Sequence, residues 1–301
     1  LFGKYDPNVV SKTFTTFEAN RIILSERVGK RNPYTNNQVL ADGFYYGYGQ
    51  YAVDVLVPSF LAAYTGKSPE KVSLINQSNP QLRSNPFEAI FPLPNWKLDY
   101  NGLTRIKGLE KILTNFTFSH GYNANVSMNA FTSQLDYQDV SNYGFPSFYD
   151  SVYRGFIPYY MMPNVTIIEQ FAPLVGFDMM FTNQMQAKFE YIKTRALSLS
   201  LIDYQLSEVR STEFVIGAGY RKKGMKILAG LKLPKFLDKT GKGMLDNEIN
   251  FRLDFRIRDN VSSISRLNQG DAYATGGSRD IVITPSIDYF LNNRINIKLY
   301  F

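Results

Sequence analysis

The chain has 301 residues, a formal net charge of +7, no cysteine and a single histidine, His120. These counts exclude disulfides, thiol chemistry, Cys-ligated metal and His-cluster metal sites. A Ser-His-Asp triad is also without support, because His120 has no evident carboxylate partner. Tyr and Phe are abundant beside one Trp, and no apolar run is long enough for a helical membrane span. That leaves open a barrel, whose strands give a weaker signal. The basic excess lies mainly after residue 150, in turns such as Arg221-Lys222-Lys223 or alternating with apolar residues. This argues against a nucleic-acid face. The chain opens at Leu1 without a basic-apolar leader, and is expected to be a processed product or a fragment.

Phe14, Phe17, Arg21, Leu24 and Val28 recur at helical spacing. They predict a helix from about Thr15 to Val28, ended by Gly29. Tyr45-Tyr46-Gly47-Tyr48-Gly49 is aromatic and flexible, with no strand–helix frame for a dinucleotide site. Val55–Tyr64 reads as a short helix that is apolar all round, preceded by Asp54, with Pro58 in its first turn. Such a helix needs protein on several sides, either in a core or inside a barrel. Prolines from Pro69 to Pro94 make an extended connector, and Trp96 is expected to anchor beside a membrane interface or rim. Residues 103–113 read as an amphipathic turn or short helix.

From Asn115 to Ala130 the sequence alternates strictly. Phe116, Phe118, Tyr122, Val126 and Met128 fall on one face; Thr117, Ser119, Asn123, Asn125, Ser127 and Asn129 fall on the other. Period two is the signature of a strand between two different environments. At its length of about 50 Å it exceeds an ordinary strand and what a bilayer requires. A long Tyr-, Phe- and Pro-rich loop follows at 134–164. Strands are predicted at 165–181, 186–206, 212–221, 225–233, 248–266, 279–291 and 295–301. In the fifth of these, Phe251, Leu253 and Phe255 face one way. Asn250, Arg252, Asp254, Arg256 and Arg258 face the other. Charge of that density is ruinous in a dry core and comfortable in water. Lys193 and Arg195 interrupt an apolar face and are expected near an interface. The basic loop around Asp238-Lys239-Thr240-Gly241 lacks the order of a phosphate loop.

The pattern predicts an all-β fold: an antiparallel transmembrane β-barrel wall of about eight strands over 115–301, with short helices and long loops over 1–114 at the lumen or rim. The polar residues named above would face the lumen and the apolar ones lipid. No catalytic, cofactor or metal site is legible. The expected function is a passive pore. The alternative is a small self-contained barrel acting as an adhesin, receptor or lipid-binding protein; a β-sandwich enzyme is a third reading.

Several local sequences resemble the SprA/Sov family. They are Gly47-Tyr48-Gly49 with the run from Asp54 to Gly66, the run from Pro92 to Leu103, Ser119-His120-Gly121-Tyr122, Glu169–Leu174, Ala196–Leu206 and Asn250–Asp259. That resemblance implies the C-terminal portion of the outer-membrane translocon of the type 9 secretion system of Bacteroidota. It would be part of a very large barrel of about 36 strands, exporting folded cargo in secretion and gliding motility. It further implies a bacterial outer-membrane location and a set of partners. These are other segments of the same barrel, a PorV-type barrel at a lateral gate, a periplasmic plug protein, secreted cargo proteins and membrane lipid, with no nucleic acid.

Overall fold

The computed structural model describes residues 12–75, 77, 94–128, 130–152, 154–223, 248–267, 273–292 and 295–300. Helix α1 runs over Lys12–Arg31, longer at both ends than the spacing predicts. Phe14, Phe17, Leu24 and Val28 are all buried along one stripe, as a three–four apolar repeat requires. Lys30 and Arg31 sit in its last turn, where cations complement the helix dipole. Gly29 lets the Tyr45 ring approach; a Cβ there would lie 2.4 Å from it. Helix α2 spans Val53–Thr65 and is closed by Gly66 in the left-handed conformation. Val55, Leu56, Val57 and Phe60 have no exposed surface, so this helix packs on several sides. Because it starts at Val53, Pro58 lies beyond the first turn and lacks the N–H that would bond the Asp54 carbonyl.

One open antiparallel sheet makes up most of the remaining structure. Its strands are β1 (Trp96–Tyr100), β2 (Leu113–Met128), β7 (Asn164–Phe181), β8 (Met185–Ser200), β9 (Gln205–Lys223), β10 (Glu248–Arg266), β11 (Tyr273–Asn292) and β12 (Ile295–Tyr300), in the spatial order β1-β2-β7-β8-β9-β10-β11-β12. The excursion between β2 and β7 carries two small pairs. These are β3 (Thr132–Ser133) with β6 (Tyr160–Met161), and β4 (Tyr149–Asp150) with β5 (Gly155–Phe156).

Register fixes the faces, since directly opposed residues share one. Met128, Val165 and Leu199 align, then Leu206; so do Val126, Ile167 and Leu197. Val165, Ile167, Leu197 and Leu199 are fully buried and join one core with Phe14, Phe17, Leu24 and α2. The helices therefore cap one end of one sheet face. Further along that same face, Phe189, Ile216, Phe255 and Ile283 align in turn, and no described helix covers them.

The expected barrel is corrected by this topology. β1 and β12 lie at opposite edges, and no described residues pair them, so the sheet is open. Among the described residues the fold is mixed, with two α-helices and an open sheet, rather than a transmembrane all-β wall of a closed or 36-stranded barrel. The small-barrel alternative required this chain to close on itself, and the pore function required a transmembrane barrel wall; the open sheet with its helical cap supports neither. No described helix is long and apolar enough to cross a membrane. The outer-membrane location, drawn from the barrel reading and the family resemblance, is corrected with the barrel.

Finer differences have local causes. The strand predicted over 186–206 is two: a turn at 201–204 separates β8 from β9, with Tyr204 at positive φ. The alternation Leu197-Ser198-Leu199-Ser200-Leu201 runs up to that turn and hides it in the sequence. Trp96, expected as an anchor at a rim, opens β1 and stacks on Tyr122 at 4.5 Å between ring centroids. Residues 103–113 contain only a 3-10 turn, Gly102–Arg105. The strand predicted at 225–233 and the loop around Asp238 lie outside the described residues.

Candidate interaction site

The polar face of the sheet gathers Thr117, Ser119, Asn123, Asn125 and Ser127 from β2 and Asn250, Arg252, Asp254, Arg256 and Arg258 from β10; Asn129 lies outside the described residues. The β10 charges are matched across and along the sheet. Arg252 Nε is 2.7 Å from Asp254, Arg256 Nε is 3.0 Å from Glu213, and Arg258 Nε donates to Ser211 Oγ at 3.0 Å. These arginines are largely exposed, so each pair adds little to stability. Their effect is to keep a crowded face neutral and wet. A trough of about 530 Å³ crosses this face, with Gly217 and Gly219 in its floor. Apart from Ser119, which is buried, the described residues expected to face a lumen line an open sheet surface.

The residues expected to face lipid divide into two groups. Val126 and Met128 pack against the helical core, and Tyr122 is buried against Phe171. Phe116 and Phe118 lean on Phe177. Phe251 and Leu253 remain 40% and 46% exposed, while Phe255 is half-buried. One stretch of alternation therefore crosses from a dry core to an open surface, and periodicity alone does not mark the crossing.

A polar belt separates the two regions. Arg195 Nε donates to Glu169 Oε2 at 2.8 Å, and Tyr122 donates to Glu169 Oε1 at 3.1 Å. Burial, and then the Glu169 charge, push the Tyr122 phenol up to about 12. Glu208 and Arg210 add a second pair at 2.6 Å. Arg195 is thus tied to a cross-strand carboxylate, not placed at a lipid interface. His120, on the same face, donates from Nδ1 to the Leu174 carbonyl at 2.7 Å.

Beneath the cap, Asp54 accepts from Gln77 Nε2 at 2.6 Å. Gln77 Oε1 accepts from the Tyr159 and Tyr160 amides at 2.9 and 3.1 Å. Its carbonyl accepts from the Tyr137 hydroxyl at 3.2 Å. Burial raises the Asp54 carboxyl from 3.8 to about 6, against the lowering effect of the Gln77 bond. Gln77 stitches α2 to the long excursion, and nothing in its sequence surroundings signals this.

The sheet edge at β11 has its own geometry. β12 pairs with β11 only from Ser286 to Asn292. From Tyr273 to Pro285 the outer side of β11 has no partner among the described residues, although β10 pairs its inner side throughout. Ile281, Val282 and Ile283 on this length are 58%, 47% and 58% exposed. An exposed, aliphatic, β-branched edge with unpaired backbone is a template for another strand.

Neither a scan against family models nor a search of curated proteins finds a match to this chain. The resemblance to the SprA/Sov family is therefore unsupported, and the translocon, motility and secretion roles drawn from it are corrected together with the barrel. Among the described residues no group of three or more His, Asp or Glu side chains is placed to hold a metal.

Proposed function

We propose that this protein is a non-enzymatic binding scaffold that accepts an extended polypeptide segment along the outer edge of β11. The observation that carries this reading is the length of β11 from Tyr273 to Pro285, whose outer side pairs with none of the described residues and lies in line with β12. The segment is thus either chain following Phe301 or a strand of another polypeptide. An added strand in line with β12 would satisfy backbone groups that otherwise face solvent, and main-chain bonds would give the affinity. Alternate side chains of the segment would meet Ile281 and Ile283 on the apolar face and Val282 on the polar face. Apolar residues at alternate positions are therefore favoured.

A second copy of β11 is the poorer occupant. Antiparallel pairing about an axis normal to the sheet puts Arg279 opposite Arg279, or Asp280 opposite Asp280, in the registers that use the free length best. Registers centred on Ile281 or Val282 drive the other end of the copy towards Tyr300, which already pairs with Ser286. Residues following Phe301 in the same polypeptide, or a segment of another chain, meet neither obstacle.

The test is hydrogen exchange with a peptide of about ten residues of alternating threonine and valine, long enough to pair as one strand. Slowed exchange at amides within 276–285, lost in Val282→Lys and with a backbone N-methylated peptide, is the expected result. Unchanged exchange there at saturating peptide, in a protein whose other amides stay protected, would overturn the reading.

A further inference from the structure

A cavity of about 540 Å³ lies under the helical cap, away from the β11 edge. Three cations line it: Arg27 and Arg31, one turn apart on α1, and Lys71 on the segment after α2. The Arg27 guanidinium donates to the Pro69 carbonyl and to the Val72 carbonyl, the latter at 3.1 Å. This holds the 69–72 backbone over the cavity. Glu70 lies near enough to act on Arg27 but does not line the space. Among the described residues Asp54 is the single carboxyl in the lining, and it is already bonded to Gln77. Val28, Val72, Ile75 and Phe145 supply apolar wall. The volume is in the range of small-molecule sites, which combine apolar walls with a few polar groups that set orientation.

We propose that this cavity binds a small carboxylate with an apolar body. The carboxylate sits at Arg31 and Lys71, both exposed, and the body lies against Val28, Val72 and Phe145. Charge sets the sign of the ligand: three cations face one carboxyl that already has a donor. Shape sets its body, because a fully hydrated inorganic anion would leave the apolar walls unused. Arginine suits the head group, since its planar fork matches a carboxylate. The site does not depend on strand addition at β11, which is on another part of the sheet.

Octanoate, octanol and inorganic phosphate would be titrated calorimetrically into the whole chain, with exchange at amides 143–145 as the positional readout. Octanoate is expected to bind and to slow those amides. Octanol and phosphate should bind at least tenfold more weakly. The doubly charge-reversed variant Arg31→Glu/Lys71→Glu should weaken octanoate at least tenfold while the chain stays folded, with a melting temperature lowered only slightly by the acidic charge at the end of α1. Both positions are on the surface, so folding is not at stake. Equal binding of octanol would overturn the role of charge, and equal binding of phosphate that of the walls. Octanoate binding that survives the double variant would place the ligand elsewhere, for example on the exposed apolar sheet face. Absence of octanoate binding would overturn the proposal outright.

Discussion

The two ends of one sheet face have the same kind of residues and different surroundings. At the capped end, Val165, Ile167, Leu197 and Leu199 have no exposed surface, because α1 and α2 lie over them. At the open end Phe251, Leu253, Ile281 and Ile283 are 40–58% exposed. The first set contributes burial energy and the second does not, although each alternates in the same way. The belt of Glu169, Arg195, Glu208 and Arg210 marks the boundary. Apolar alternation therefore identifies a strand face but does not identify what covers it.

The belt is where that contrast can be broken most severely. Glu169 and Arg195 side chains are only 9% and 11% exposed. Arg195→Met leaves Glu169 buried without a counter-charge, and is expected to cost about 3–5 kcal/mol in urea denaturation. Adding Glu169→Gln should recover most of that loss. A double variant as unstable as the single would mean that Arg195 matters for packing and not for charge.

The contrast between the ends can be measured directly by truncation. Leu197→Ala and Ile167→Ala at the capped end should each cost about 2–5 kcal/mol. Leu253→Ala and Ile283→Ala at the open end should each cost less than about 1 kcal/mol. Similar losses at both ends would show that the open end is covered in solution, for instance by association between molecules.

Asp54 sharpens the account of the cap. Burial raises its folded-state pKa from 3.8 to about 6, so the folded form holds the proton more tightly. The resulting stabilisation is full below about pH 3.8 and is lost as pH rises through about 6. Over that window the loss amounts to about 3 kcal/mol. Asp54→Asn should remove this dependence and raise the melting temperature at pH 8 relative to the parent chain. A parent and variant with parallel stability–pH curves would show that Asp54 is solvated in the folded state.

The smallest effect is expected at the exposed pair of Arg279 and Asp259, whose Nε–Oδ1 distance is 2.6 Å. Arg279→Ala should leave the denaturation midpoint unchanged within error, because solvent screens such pairs. A clear shift would show that this end of β10 and β11 is shielded from water.

Much of the strand content was legible because period two survives in β2, β7 and β10, where almost every second residue is apolar. The α1 stripe was legible for the same reason at a period of three to four. The two faces of β10 were separable because Asn250, Arg252, Asp254, Arg256 and Arg258 alternate strictly with apolar residues. The turn at 201–204 was not legible, because the alternation Leu197-Ser198-Leu199-Ser200-Leu201 runs up to it. Gln77 was not legible as a hub, since its partners at Asp54, Tyr137, Tyr159 and Tyr160 come from distant parts of the chain. The β11 edge could not be read either: a strand carries no local mark of whether its outer side is paired.

The sequence by itself determined which segments are strands and helices and which residues share a face, because side-chain direction follows backbone period. The tertiary structure alone decided that the described strands form an open sheet, that α1 and α2 cover one end of it, and which length of β11 pairs with β12. The physical reason is that closure, coverage and pairing depend on which distant segments meet. Local alternation is the same whether the apolar side meets a helix, another strand's side chains or solvent.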